Sequence, residues 1–230
     1  MKLLQRACKA LFVLAVFGFC FWWGRQVREV FYGTDVWQPR LLLDAGHGGE
    51  DGGAVSISGQ KESVINLEIT RKLDQVLAFL GEPALLLRET DISIYEDGAQ
   101  TLREKKVSDL KHRVRLVGQY PGAVLVSIHQ NSYPEPQYRG TQVFYAPTGG
   151  SQQVAQRLQR AVITHMQPGN TREEKMIPDS VYLMNHIKNT AVLIECGFLT
   201  NPEEEKLLQQ EEYQRKLALV LGTTLAEGLR

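Results

Sequence analysis

The stretch from Arg40 to Gly81 constrains the fold more than any other part of the chain. An apolar run, Arg40 to Asp44, gives way to a glycine-rich loop, Ala45 to Gly53, and then to a segment of helical period, Glu62 to Leu80. Apolar residues recur there at Val64, Ile65, Leu67, Ile69, Leu73, Val76, Leu77 and Leu80, and Gly81 supplies a stop. A strand, a loop and a helix in that order open a layered α/β domain. The same alternation continues to the C-terminus. Ala84 to Arg88, Ala123 to His129, Thr141 to Ala146 and Val192 to Glu195 read as strands. Ser108 to Val117, with Ser108 as N-cap, Ser151 to Met166, and Glu203 to Leu229 as one or two helices, fill the spaces between them. The expectation is one three-layer α/β domain over residues 39–230, with a mixed, mostly parallel sheet flanked by helices. No internal repeat or second module interrupts it.

Charge divides the chain unevenly. The 26 basic and 26 acidic side chains cancel, which removes the footprint of a nucleic-acid partner. Within residues 1–30, however, Lys2, Arg6, Lys9, Arg25 and Arg28 face Glu29 alone, a charge of +4 that leaves −4 for the other 200 residues. Three of these cations precede an apolar run from Ala10 to Trp23, 14 residues long. That length suits a signal-peptide core and falls short of the ~18–20 residues of a full span. The run ends in Trp22-Trp23-Gly24-Arg25 with no small-x-small cleavage site. Residues 1–25 are therefore expected to form an uncleaved signal-anchor in the membrane, with residues 26–38 as tether and the remainder extracytoplasmic. Three cysteines form neither a disulfide framework nor a metal knuckle.

Polar residues gather at the expected strand ends. His47 follows the first strand, His129 ends the strand in Ser-Ile-His-Gln-Asn, and Glu195 ends another in Leu-Ile-Glu-Cys-Gly. In open α/β sheets, sites form outside the carboxyl ends of the strands. Glu62, at the start of the first helix, can join them. His47, Glu62 and His129 would make a His2Glu zinc set with a position left for water, and Glu195 would be the uncommitted acid–base carboxylate. The ordinary alternative is two loop histidines, a glutamate complementing a helix dipole and a strand-end glutamate in an ion pair. Spacing alone leaves both open, because no HExxH announces a metal site.

Seven motifs then appear in one order: Leu43-Asp44-Ala45-Gly46-His47-Gly48-Gly49, Asp51-Gly52-Gly53-Ala54, Lys61-Glu62, Leu87-Arg88-Glu89-Thr90-Asp91, Ser127-Ile128-His129-Gln130-Asn131, Gly140 to Tyr145, and Ile194 to Pro202. Together, from about Leu41 to Leu229, the chain resembles the zinc-dependent N-acetylmuramoyl-L-alanine amidases. The resemblance implies that His47, Glu62 and His129 bind one Zn2+ and that Glu195 is the catalytic carboxylate. It also implies that the bond cut joins the lactyl group of muramic acid to L-alanine in peptidoglycan. Ala45 stands where the family usually has Pro, and Cys196 where it has Val or another small apolar residue; neither is a proposed ligand.

The short apolar N-terminus, the stretch from Glu96 through Val114, and Ile177 to Met184 are similar to the germination-specific, spore-cortex branch of that family. That likeness implies removal of stem peptides on the way to muramic δ-lactam in the forespore intermembrane space, and an accessory lipoprotein as a possible partner. A vegetative cell-separation amidase and a non-catalytic peptidoglycan-binding regulator on the same fold are the alternatives; a regulator commonly lacks a ligand, whereas all four positions are filled here. A zinc peptidase or deacetylase would share the metal chemistry. Arg88 and Asn131, beside the expected site, are candidate substrate-binding residues. His186 is a weaker candidate for the cleft. His112 and His165 read as solvated, and Cys196 as a packed thiol.

Overall fold

The computed structural model describes residues 38–229. The chain divides into a unit of residues 1–38 and a unit of residues 39–230; the expected signal-anchor and nearly all of the tether lie outside the described residues. Among the described residues, no helix is long and apolar enough to cross a membrane.

The second unit is an α/β domain built on one six-stranded sheet. Its strands are β1 (Leu41–Ala45), β2 (Leu85–Leu86), β3 (Val124–Asn131), β4 (Gln142–Tyr145), β5 (Lys175–Met176) and β6 (Ala191–Phe198), in the order β2-β1-β3-β6-β4-β5. Every neighbouring pair is parallel except β4–β6. The sheet is therefore mixed and mostly parallel, as the sequence predicts.

Alternation along each strand sorts the core into two layers. Leu41, Leu43, Val126, Ile128, Val192 and Ile194 point to one face. There they meet α1 (Glu62–Phe79), α3 (Ser151–His165) and α6 (Glu211–Gly228) through residues such as Ile69, Leu73, Leu158 and Leu221. Leu42, Leu125 and Leu193 point the other way, against Val117 of α2 (Leu102–Gly118) and Leu183 and Met184 of α4 (Tyr182–His186). Burial on both faces explains why β1, β3 and β6 read as continuous apolar runs.

Two expected boundaries move. Helix α2 starts at Leu102, six residues before Ser108, because Thr101 and Glu104 form a reciprocal capping box. Ser108 lies inside that helix, where its hydroxyl accepts from Glu96 N at 3.0 Å. The terminal segment, read as one or two helices, is two, α5 (Pro202–Leu208) and α6, and Asn201 caps α5 by accepting from Glu203 N and Glu204 N.

Candidate active site

The site grows from the end of β1. Gly46 N donates to Ile128 O at 3.0 Å, so the chain leaves the sheet still attached to β3. His47 follows with φ 62°, the only non-glycine among the described residues in the left-handed region. Such a backbone persists only where its surroundings over-determine it, and here two buried arginines do so. Arg113 donates from Nη2 to His47 O at 2.8 Å and from Nη1 to Ala45 O at 3.1 Å. Arg88 donates from Nε to Ala45 O at 2.7 Å, and from Nη2 to Gly46 O at 3.1 Å and Ser63 O at 2.8 Å. The side chain of Arg88 is 0% exposed. It holds the loop from beneath through these carbonyls. Burial, then the charge of Arg113, lowers its pKa to about 10, so it stays cationic at neutral pH.

Helix α1 brings Glu62 into the loop. Its carboxylate is buried and surrounded by donors: Ala54 N at 2.8 Å on Oε2, and Gln130 N at 3.1 Å and Asn66 Nδ2 at 3.2 Å on Oε1. Oε1 also lies 3.0 Å from His129 Nδ1, and Oε2 lies 3.4 Å from His47 Nε2. Burial alone would raise the Glu62 pKa, but hydrogen bonds and charge from the two histidines hold it well below the carboxylate range. His47 Nδ1 meets Asp51 Oδ2 at 3.0 Å. Burial works against a charged His47, yet Asp51 and Glu62 raise its pKa to about 9.

One donor atom each from His47, Glu62 and His129 falls within 4.8 Å of the others, a spacing that can hold a metal ion. Two glycines leave room for the group. A Cβ at Gly46 would stand 2.2 Å from the His129 ring, and one at Gly53, where φ is 69°, would stand 2.5 Å from Glu62 Oε2. Imidazole, imidazole and carboxylate, closely grouped and half-shielded from water, fit the donor set of a catalytic zinc site.

Glu195 is paired directly with His129 in the β3–β6 register. Its Oε2 is buried with no hydrogen-bond partner among the described residues. Burial, countered by His129, raises its pKa to about 7. A cleft of about 80 Å³ lies beside His47 and His129 and is lined also by Lys106, Val181, Leu183 and Met184. A larger hollow of about 680 Å³ lies between segments 137–140 and 166–172 and helices α5 and α6; none of these four residues lines it.

Asn131 ends β3 after a register shift and is half-buried. His186 stacks on Tyr182, its Nδ1 2.8 Å from Tyr182 O, and does not line the cleft, although the preceding residues do. Cys196 is fully buried, and burial pushes its thiol pKa up, consistent with a packed thiol. The sequence reading gave no role to Asp51, although it opens the motif Asp51-Gly52-Gly53-Ala54 four residues after His47. It also missed Arg113, whose side chain bridges Asp44 and Asp109 beneath the loop.

The sequence model of the family described as N-acetylmuramoyl-L-alanine amidase matches residues 41–226. The chain belongs to that family. The amidase is 34% identical over 199 residues to the germination-specific N-acetylmuramoyl-L-alanine amidase of Bacillus subtilis, with 82% of each chain covered. Among solved structures, it is similar to the CwlD amidase of Clostridioides difficile in complex with the GerS lipoprotein. The two share 36% identity at a TM-score of 0.78, covering 82% of this amidase and 97% of that chain. A second clostridial N-acetylmuramoyl-L-alanine amidase, from Clostridium difficile 630, aligns at 28% identity and a TM-score of 0.71, covering 84% and 97%.

Proposed function

We propose that this amidase hydrolyses the bond between N-acetylmuramic acid and L-alanine with a zinc ion held by His47, Glu62 and His129, and that it acts on spore-cortex peptidoglycan. One observation carries the mechanism: three metal-donor side chains converge within 4.8 Å beside the unpartnered Oε2 of Glu195. When bound, zinc supplies a Lewis acid that polarises the scissile carbonyl and lowers the pKa of attacking water.

The chain's own groups do the rest. The pKa of Glu195, raised by burial, makes its carboxylate a base near neutrality and, once protonated, an acid for the departing amine of L-alanine. The buried donors on Glu62 fix that carboxylate between the histidines. Asp51 orients the His47 ring from its other nitrogen, the arrangement that sets the tautomer of a metal-bound imidazole. The apolar side chains of Val181, Leu183 and Met184 shed water from their part of the cleft lining.

The cortex substrate is supported by likeness to the B. subtilis germination-specific enzyme and the CwlD amidase. The lipoprotein in the CwlD complex makes an accessory lipoprotein the partner to include in the assay. An extracytoplasmic location, with residues 1–25 as anchor, rests on the charge and hydropathy of the N-terminus.

The test measures zinc content and peptides released from cortex sacculi. Zinc near one per chain, free stem peptides with acetyl groups intact, and loss of both on chelation are expected. Deacetylated glycan without released peptide, or full activity in the metal-depleted protein, would overturn the reading.

The pKa of His47 predicts how zinc binding depends on pH. Its raised value stabilises the metal-free fold fully below about pH 6.5, a contribution lost as pH rises through about 9. Zinc must displace that proton. Apparent zinc affinity should therefore rise by up to about tenfold per pH unit across the range below about pH 9, then level off. Titration with a competing chelator measures this, and a flat profile across that window contradicts it.

A further inference from the structure

Beyond Glu195, along the sheet, stands Arg172, a cation with no direct ion-pair partner among the described residues, although its charge reaches the Glu204 carboxylate. Strand β4 runs antiparallel to β6, and Gln142 sits directly opposite Glu195. Opposed residues of an antiparallel pair project from the same face, with Cβ atoms about 5 Å apart. Gln142 is buried, and its Oε1 accepts from Arg172 Nη1 at 2.9 Å. Arg172 is held further by its Nε, which donates to Arg139 O at 2.7 Å, and by the Phe198 ring, whose centroid lies 4.6 Å from the guanidinium carbon. Its backbone N donates to Asn170 Oδ1 at 2.9 Å.

Three contacts thus fix the guanidinium, yet among the described residues no carboxylate lies within 4.0 Å of it, and its Nη2 donates to no acceptor. The nearby acids are otherwise engaged. Glu203 faces Arg139 at 3.5 Å, and Glu204 accepts from Phe198 N and Gly140 N. Arg172 also lines the hollow of about 680 Å³. A half-buried, pre-oriented fork with a free edge suits a carboxylate.

We propose that Arg172 binds a carboxylate of the stem peptide, resting on the amidase reading above. The leaving amine belongs to L-alanine, and a stem peptide laid along the sheet face that carries Glu195 and Gln142 meets Arg172 at the edge of the hollow. One to two residues span about 4–7 Å, which brings the free carboxylate of the second stem residue to Arg172. The subsite makes the enzyme discriminate between stem peptides in which that group is a carboxylate and those in which it is an amide.

Kinetics on two soluble substrates test this with the full-length, zinc-loaded protein: N-acetylmuramoyl-L-alanyl-D-isoglutamate and its isoglutamine counterpart. The wild type should favour the acid by about tenfold in kcat/KM, mostly through KM. Arg172→Gln should erase the preference by raising KM for the acid far more than for the amide form, and Arg172→Lys should restore part of it. Free L-alanyl-D-isoglutamate should bind the wild type more tightly than the Gln variant by calorimetry. An acid preference that survives Arg172→Gln, or equal cleavage of both substrates by the wild type, overturns the subsite. If the zinc-loaded wild type, with its accessory lipoprotein present, cleaves neither these substrates nor sacculi, the amidase reading itself falls, and the subsite with it.

Discussion

Glu195→Gln should lower the release of stem peptides by about 10²–10⁴-fold and leave zinc bound. The substituted side chain keeps the shape of the carboxylate but can neither take a proton from water nor return one to the amine. Glu195 is outside the donor triad, which draws its atoms from His47, Glu62 and His129. Metal content should therefore stay at the wild-type level. Glu195 must be ionised to act as base, so kcat/KM should fall on the acid side of its titration; in the metal-free protein burial raises its pKa to about 7. A variant that loses zinc together with activity would make Glu195 a ligand and refute its assignment as base.

The same substitution has a stability signature of definite sign. Burial raises the pKa of Glu195 above its unfolded value, so its ionised form is the one the fold disfavours. As pH rises from about 4.5 to about 7, the unfolded chain gives up this proton before the folded one, and stability falls. In the metal-free protein, Glu195→Gln should match the wild type at pH 4 and exceed it at pH 8 by on the order of 1–3 kcal/mol. The gain comes at a position where loss of activity is expected, as with other residues whose strain belongs to the chemistry.

How much of this is legible in the sequence follows from the range of the forces involved. Strands β1, β3 and β6 are buried on both faces, so their residues are apolar almost throughout and the strands announce themselves. Helix α1 is legible for the same reason, through Ile65, Ile69, Leu73 and Leu77 on its buried stripe. The start of α2 was not, because its first turns carry charge and expose Leu102 and Val107, leaving only the Thr101–Glu104 box as a signal. Strand β5 is two exposed residues and has no pattern to read.

At the site, the residue types at strand ends suggested a shared location. The pairing of His129 with Glu195, which joins strands more than 60 residues apart, needed the sheet itself. Arg88 illustrates the remaining gap. Its charge suggested a ligand, whereas its hydrogen bonds go to backbone carbonyls, which every residue possesses, and its nearest carboxylate, Asp91, is 3.9 Å away.

Arg113→Met should destabilise the fold by about 3–5 kcal/mol, the scale for removing one partner from a buried ion cluster. Arg113 is buried from solvent, pairs with Asp44 through Nη1 and reaches Asp109 Oδ2 from Nε at 2.7 Å. Burial would push the Asp44 carboxyl up, but Arg113 and the hydroxyl of Ser127, 2.6 Å away, hold it below the usual range. Without the guanidinium, Asp44 is left ionised and buried at neutral pH, so the penalty should shrink as acid protonates it. The loss also strips the His47 carbonyl of its donor, freeing a backbone held at a φ of 62°. Zinc affinity should fall in the same variant. Urea unfolding at pH 7 and pH 5, with chelator competition for the metal, separates the two effects. Arg115→Met is the control, because its partner Glu96 is exposed and a surface pair contributes about 0.5 kcal/mol or less. Equal losses from the two arginines would mean that the buried cluster does not hold the loop. A large loss confined to Arg113, together with weaker zinc binding, would tie the stability of the fold to the geometry of its metal-donor loop.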